Sequence, residues 1–245
     1  GNANNVFVAI INDGQLAGVF LFFFCGTTWT QMDLPLTNED GGDVGTNPRV
    51  KPGELPGSQG QIHFSILADP INSNIVYVGG DRQPRGFNDE GDWPNAIGAN
   101  NFTGRLFRGD ASKPEDEQWV HLTHTSGLGP AGGGTASNSA PHADSREMVF
   151  DANGNIIEGD DGGIYRRTNP RSDLGDWFSI NGNLQVTEFH SIAYDSNSNV
   201  IIGGSQDNGT SGQNFAGSTV WTQGSGGDGG DVAVDDTSTP GLSYR

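Results

Sequence analysis

Short apolar runs closed by an aspartate recur along the chain, and each is followed by a polar turn and a second apolar run. The fullest example is Glu147-Met-Val-Phe-Asp151, then Ala152-Asn-Gly-Asn155, Ile156-Ile-Glu-Gly159 and Asp160-Asp-Gly-Gly163. It returns as Ser191-Ile-Ala-Tyr-Asp195, Ser196-Asn-Ser-Asn199, Val200-Ile-Ile-Gly-Gly204 and Ser205-Gln-Asp-Asn-Gly209. Another copy opens at Asp231-Val-Ala-Val-Asp235, and an earlier one at Phe64-Ser-Ile-Leu-Ala-Asp69, Pro70-Ile-Asn-Ser-Asn74 and Ile75-Val-Tyr-Val-Gly-Gly80. The pattern predicts a short strand, a tight hairpin, a second strand and a Gly/Asp bend. Asp151 to Asp195 is 44 positions and Asp195 to Asp235 is 40. A repeat of that length holding several short strands matches a propeller blade. Asp69 to Asp151 is 82 positions, which we read as one unit with an insertion over 82–102.

Trp29, Trp119, Trp177 and Trp221 fall late in successive units, where one large ring per unit fills the gap between stacked sheets. Trp93 stands outside the series, in the inserted loop beside Arg82 and Arg85, and is a candidate ligand contact. At the N-terminal end, Val6 to Ile11, the turn Asn12-Asp-Gly14 and the run Ala17 to Cys25 predict another hairpin, with Cys25 a core thiol. The expected layout is a partial blade over 1–36, blades over about 61–125, 141–181 and 186–224, and a partial blade over 228–245. The chain reads as a piece of a longer polypeptide, other segments of which are potential partners.

Three phrases resemble the Asp-box (bacterial neuraminidase) repeat propellers, in particular the sortilin-type propellers and the xyloglucan-specific endoglucanases: Asp160-Asp-Gly-Gly-Ile-Tyr-Arg166, Gly203-Gly-Ser-Gln-Asp-Asn-Gly209 and Gly226-Gly-Asp-Gly-Gly230. The family box reads S-x-D-x-G-x-T-W. The stretch from Phe22 to Trp29 keeps Gly26, Thr28 and Trp29 and has Phe22 and Phe24 in place of Ser and Asp. The resemblance covers most of 60–245. It implies an all-β propeller of four-stranded antiparallel blades, about four or five of them in this chain, and leaves many functions open.

Composition narrows those functions. The chain has 245 residues, a formal charge of −18, 39 Gly, 13 Phe, 5 Trp and a single Cys. Such acidity argues against nucleic-acid binding, which needs clustered Lys and Arg. It suits a protein that stays soluble or holds cations such as calcium. The apolar run up to Cys25 is too short to span a bilayer. One cysteine forms no internal disulfide.

Candidate chemistry sits where propellers bind ligands, on loops leading into the first strand of a blade. His63, His142 and His190 all precede such a strand, and Asp144 accompanies His142. A His/Asp cluster there is a potential metal holder. The Gly/Asp bends nominate Asp161, Asp207 and Asp231 as calcium ligands, against the plainer alternative that Asp and Asn simply build turns. These features favour an extracellular, cell-surface or periplasmic binding or structural module for a glycan or peptide. Arg82, Arg85, Trp93, His63, His142, Asp144 and His190 are its contacts. The alternative is a xyloglucanase-like glycoside hydrolase. By resemblance it would use Asp160 as base and Asp228 as the second carboxylate, since that chemistry needs a pair. Asn101-Phe-Thr103 and Asn208-Gly-Thr210 are glycosylation sequons.

Overall fold

The computed structural model describes residues 5–23, 27–39, 42–46, 59–83, 98–124, 134–238 and 242–244. Cys25, Arg85 and Trp93 lie outside the described residues. The chain divides into two compact units, 1–182 and 183–245. Strands are antiparallel throughout the described residues.

The first unit opens with a three-stranded sheet, β1 (Asn5–Asn12), β2 (Gln15–Phe23) and β3 (Trp29–Gln31). Asp13 and Gly14 join β1 to β2 with φ of 49° and 74°. Two successive left-handed residues are what the type I′ hairpin demands, so the Asp-Gly pair fixes the register. A small hairpin follows, β4 (Thr37–Glu39) with β5 (Gly42–Val44). Next come two four-stranded meanders. One is β6 (Ser65–Ala68), β7 (Ile75–Arg82), β8 (Gly104–Asp110) and β9 (Trp119–His121). The other is β10 (Glu147–Phe150), β11 (Ile156–Asp160), β12 (Gly163–Arg167) and β13 (Trp177–Ser179). The inserted segment runs between β7 and β8 of a single sheet.

The sheets stack through alternating side chains of β7. Ile75 and Tyr77 join Leu106, Leu122, Met148, Ile156 and Trp177 in a cluster shared with the β10–β13 sheet. Val76 and Val78 point the other way and join Val19, Met32, Phe107 and Trp119 in a cluster shared with the β1–β3 sheet. Period-two alternation delivers this arrangement, one strand feeding two cores. Each buried Trp also anchors to the preceding sheet side by a hydrogen bond. The Trp119 indole N–H donates to the Asp33 carbonyl at 2.6 Å, and that of Trp177 to the Leu122 carbonyl at 2.8 Å. Trp29 differs from the expected core position: it is 50% exposed and tilted against Phe22 at 5.1 Å. Its strand register puts it on the face of Val6 and Phe22, opposite to the face that carries Val19 into the core.

First strands of neighbouring sheets meet, β1 with β6 and β6 with β10. Ser65 and Ser145 hydroxyls touch at 2.6 Å across the second junction, and the Ser145 N–H donates to the Gly80 carbonyl at 2.9 Å. A Cβ at Gly79 would sit 2.5 Å from Ser145 Oγ, so this close approach requires glycine.

The second unit is one four-stranded meander, β14 (Phe189–Asp195), β15 (Val200–Ser205), β16 (Gly209–Gln213) and β17 (Trp221–Ser225). A hairpin, β18 (Ala233–Asp235) with β19 (Leu242–Tyr244), follows it. Here too the first strands of successive sheets meet, β14 with β18.

The aspartates that close β6, β10, β14 and β18 share one task. Asp69 Oδ1 accepts the N–H of Ile71 and Asn72, Asp151 Oδ1 those of Asn153 and Asn155, Asp195 Oδ1 that of Asn197, and Asp235 Oδ1 those of Thr237 and Ser238. Each carboxylate caps its own hairpin, the Asx-turn that makes Asp favourable there.

Candidate functional site

The entry ends of β6 and β10 bring together residues far apart in sequence. His63 lies just before β6, Asp81 near the end of β7, Asp144 before β10 and Asp161 in the β11–β12 bend. Residues 141–145 are stitched to the neighbouring sheet. The Gly104 N–H donates to the Pro141 carbonyl, the Ala143 N–H to that of Phe102 and the Ser145 N–H to that of Gly80. Asp144 sits inside this stitched turn with φ of 71°, a left-handed conformation that Asp tolerates better than most residues.

One donor atom from each of His63, Asp144 and Asp161 lies within 4.8 Å of the others. His63 Nε2 is 3.9 Å from Asp144 Oδ2 and 2.8 Å from Gln59 Oε1. Asp161 Oδ1 accepts from Arg146 Nη2 at 2.8 Å. Asp81 is 4% exposed; its Oδ1 accepts the Arg82 N–H at 2.8 Å, and its Oδ2 is buried with no N–H or hydroxyl donor among the described residues. Burial, and then the carboxylates of Asp81 and Asp161, hold the Asp144 carboxyl well above the ordinary range. Burial holds the His63 imidazole below its usual value, and Arg146 adds to this against the pull of Asp161 and Asp81.

Beside this cluster, Asp160 Oδ1 accepts the Gly162 N–H at 2.8 Å. Burial pushes its carboxyl up to about 7, against the lowering effect of the Gly162, Gly163 and His142 backbone. Glu158, one turn of the pleat further in, is fully buried, and desolvation pushes it well above its ordinary value.

A second group borders the same end. Phe102 is 54% exposed. The His142 ring lies parallel to it, 6.1 Å between centroids and 3° between planes, and the Arg82 guanidinium sits 5.9 Å from its centroid. Arg82 Nη1 also donates to Asn101 Oδ1 at 3.3 Å. Phe102 has φ of 58°. That conformation is an outlier for a bulky residue and costs on the order of 1 kcal/mol or more.

The second unit holds its own network. Gln206 Oε1 lies 2.7 Å from His190 Nε2, and the Gly229 carbonyl 3.0 Å from His190 Nδ1. Gln206 Nε2 is committed as donor to Asp228 Oδ1 at 3.0 Å and Asp207 Oδ2 at 3.1 Å, which fixes its amide orientation. Both His190 nitrogens therefore face acceptors, and the Gly229 carbonyl and then Gln206 raise its pKa. Asp228 Oδ1 also accepts the Asp207 N–H at 2.9 Å, and Asp231 is exposed.

Of the residues singled out from sequence, His63, Asp144 and Asp161 converge in the first unit, with Arg82 and His142 on their border. His190, Asp207, Asp228 and Asp231 belong to the second unit. Asp81 and Phe102 were not singled out. Asp81 reads as an ordinary strand end, and only the register between neighbouring sheets turns it toward Asp144.

Meandering four-stranded antiparallel sheets, stacked face to face with their first strands adjacent, are blades, and the fold class they define is the all-β propeller. No family model matches the chain, and no curated protein does. Among solved structures the chain is similar to the β-propeller domain of Cps50 (Swd1) from Myceliophteria thermophila, with 8% identity and a TM-score of 0.34, covering 95% of this chain and 60% of that one. It is also similar to the extracellular domain of a putative hybrid two-component system from B. thetaiotaomicron, with 12% identity and a TM-score of 0.21, covering 96% of this chain and 29% of that one. The chain thus spans less than two thirds of either structure. Likenesses this distant bear on neither ligand nor activity. No helix among the described residues is long and apolar enough to cross a membrane.

Proposed function

We propose that the chain is a binding module of the Asp-box propeller type, displayed outside the cytoplasm, that recognises a glycan at the entry end of β6 and β10. One observation carries the proposal: Phe102 is held exposed in a strained left-handed conformation, with Arg82, Asn101 and His142 around its ring. Backbone strain of this kind concentrates at functional sites. An exposed aromatic face offers a stacking surface for a sugar ring, and the neighbouring guanidinium, amide and imidazole offer hydrogen bonds to its hydroxyls. A peptide ligand is the other outcome that the same surface allows.

The test is binding of the purified chain to an immobilised oligosaccharide array, followed by titration of the best hit. Phe102→Ala and Arg82→Ala are each expected to weaken that hit about tenfold or more, a loss of at least ~1.4 kcal/mol. Phe102→Gly is expected to lose binding while gaining up to about 1 kcal/mol of stability, because glycine adopts positive φ without strain. Retention of affinity in both alanine variants overturns the proposal, and binding only to a peptide library redirects it.

The glycoside hydrolase alternative keeps one supporting observation, the Asp160 carboxyl pushed up to about 7. That value suits a general acid rather than the base expected from the resemblance. Release of reducing ends from a polysaccharide panel, abolished by Asp160→Asn, would support it.

A further inference from the structure

We propose that His63, Asp144 and Asp161, with Asp81 beside Asp144, form a binding site for one hard divalent cation of the calcium or manganese class. Two carboxylates and an imidazole from three separate segments meet at the junction of two sheets, and Asp81 of β7 adjoins one of them, Asp144. Donor atoms of His63, Asp144 and Asp161 lie within 4.8 Å of one another. Donors on opposite sides of a calcium ion at 2.3–2.6 Å stand about 4.6–5.2 Å apart, so this spacing spans an ion with little movement. The donor set is mostly carboxylate oxygen, which selects hard cations over thiophilic ones.

Asp81 supplies the independent observation. It is 4% exposed, its Oδ2 has no N–H or hydroxyl donor among the described residues, and the protonated Asp144 carboxyl hydrogen-bonds to it. A buried carboxylate oxygen without a donor is costly, and carboxylates side by side repel each other. An ion beside them takes the place of that shared proton, while the Arg146 guanidinium donates to Asp161. The surrounding frame is set for this task. The left-handed turn at Asp144 is pinned by backbone bonds on both sides, and the Asp81 carboxylate is fixed through Oδ1 by the Arg82 N–H. His63 Nε2 now lies 2.8 Å from Gln59 Oε1, so imidazole ligation requires Gln59 to turn aside; otherwise His63 supports Asp144 from outside the ion's ligands. The inference concerns the same end of the sheets as the glycan reading but stands without it, because cation uptake is measured with no organic ligand present.

The test titrates the chelator-treated chain with calcium chloride and, separately, manganese chloride. Calorimetry reads stoichiometry and thermal unfolding reads the shift. One ion per chain is expected, with a rise in Tm on the order of 5 °C at a hundredfold excess over Kd. Asp144→Asn and Asp81→Asn are each expected to weaken binding at least tenfold. Without added cation, Asp144→Asn is expected to melt no lower than the parent chain, because the amide keeps the shape of the carboxyl, can donate to Asp81 as the protonated acid does, and tolerates the left-handed turn. Should either variant fail to fold, the parent chain still decides: substoichiometric bound manganese broadens the His63 imidazole resonances strongly, and unchanged His63 resonances overturn the proposal. Absence of heat and of any Tm shift with both salts at millimolar concentration overturns the proposal. So does binding that both variants retain undiminished.

Discussion

Asp69 shows how much one side chain carries. Its carboxylate caps a hairpin through two backbone N–H groups, accepts the Tyr77 hydroxyl at 3.1 Å and pairs with Arg171 at 2.7 Å. Burial alone would raise its pKa, but the Arg171 hydrogen bond and the Asn72 and Ile71 amides outweigh it and hold the value below the ordinary range. The native state therefore binds this proton less tightly than the unfolded chain does. The resulting stabilisation is complete above the unfolded pKa, near 3.9, and is lost as pH falls through the lower native value. Arg171→Met is expected to cost about 2–3 kcal/mol at neutral pH, somewhat under a fully buried pair because Arg171 is partly exposed, and to flatten the acid limb of the stability curve. Urea melts between pH 2.5 and 7 check both effects. At this scale the sequence was partly legible. An Asp closing an apolar run announces its turn, because the Asx bond is local. It does not announce a partner 102 residues away. The histidines make the same point. His63, His142 and His190 occupy like positions in the repeat, yet one borders the carboxylate cluster, one stacks on Phe102 and one is held between two acceptors.

At the scale of elements, stacking rather than pairing within a sheet distinguishes one strand from another. The hairpins could be read from period, turn chemistry and spacing, since those are properties of contiguous sequence. Which face of each sheet finds a neighbour is a property of the assembled layers. Trp29 and Trp177 occupy equivalent places in the repeat, but one is 50% exposed and the other 4%. Trp177→Ala is accordingly expected to destabilise by about 3–5 kcal/mol through lost burial and the cavity left behind. Trp177→Phe should cost closer to 1 kcal/mol, because the Leu122 carbonyl keeps its bond from Arg167 at 2.8 Å. Trp29→Ala is expected to cost under about 1 kcal/mol, as at other exposed positions. Denaturant titrations with unchanged m-values decide, and equal losses at the two tryptophans would undercut the stacking argument. The cluster of Asp81, Asp144 and Asp161 was only half visible for the same reason. Its members lie at the ends of elements, but the junction that joins them is written in sheet-to-sheet register.

For the whole molecule, the charge of −18 looks like a uniform property and is not. Many of the carboxylates are assigned tasks: capping hairpins, crowding the β6–β10 junction, or bracing Gln206 and Asp207 in the second unit. The two-sided role of β7 carries a kinetic consequence. Every residue from Ile75 to Asp81 is buried, whereas β1 alternates between half-buried and exposed positions along one edge of its sheet. Opening β7 means dismantling both clusters at once, so its amide protons should exchange with deuterium only through the largest opening of the first unit. Those of β1 escape through local fraying, which costs far less. Peptide-resolved exchange should therefore show the protected centre of that unit at 75–81, and its slowest rates should respond to Trp177→Ala although that residue sits in another sheet.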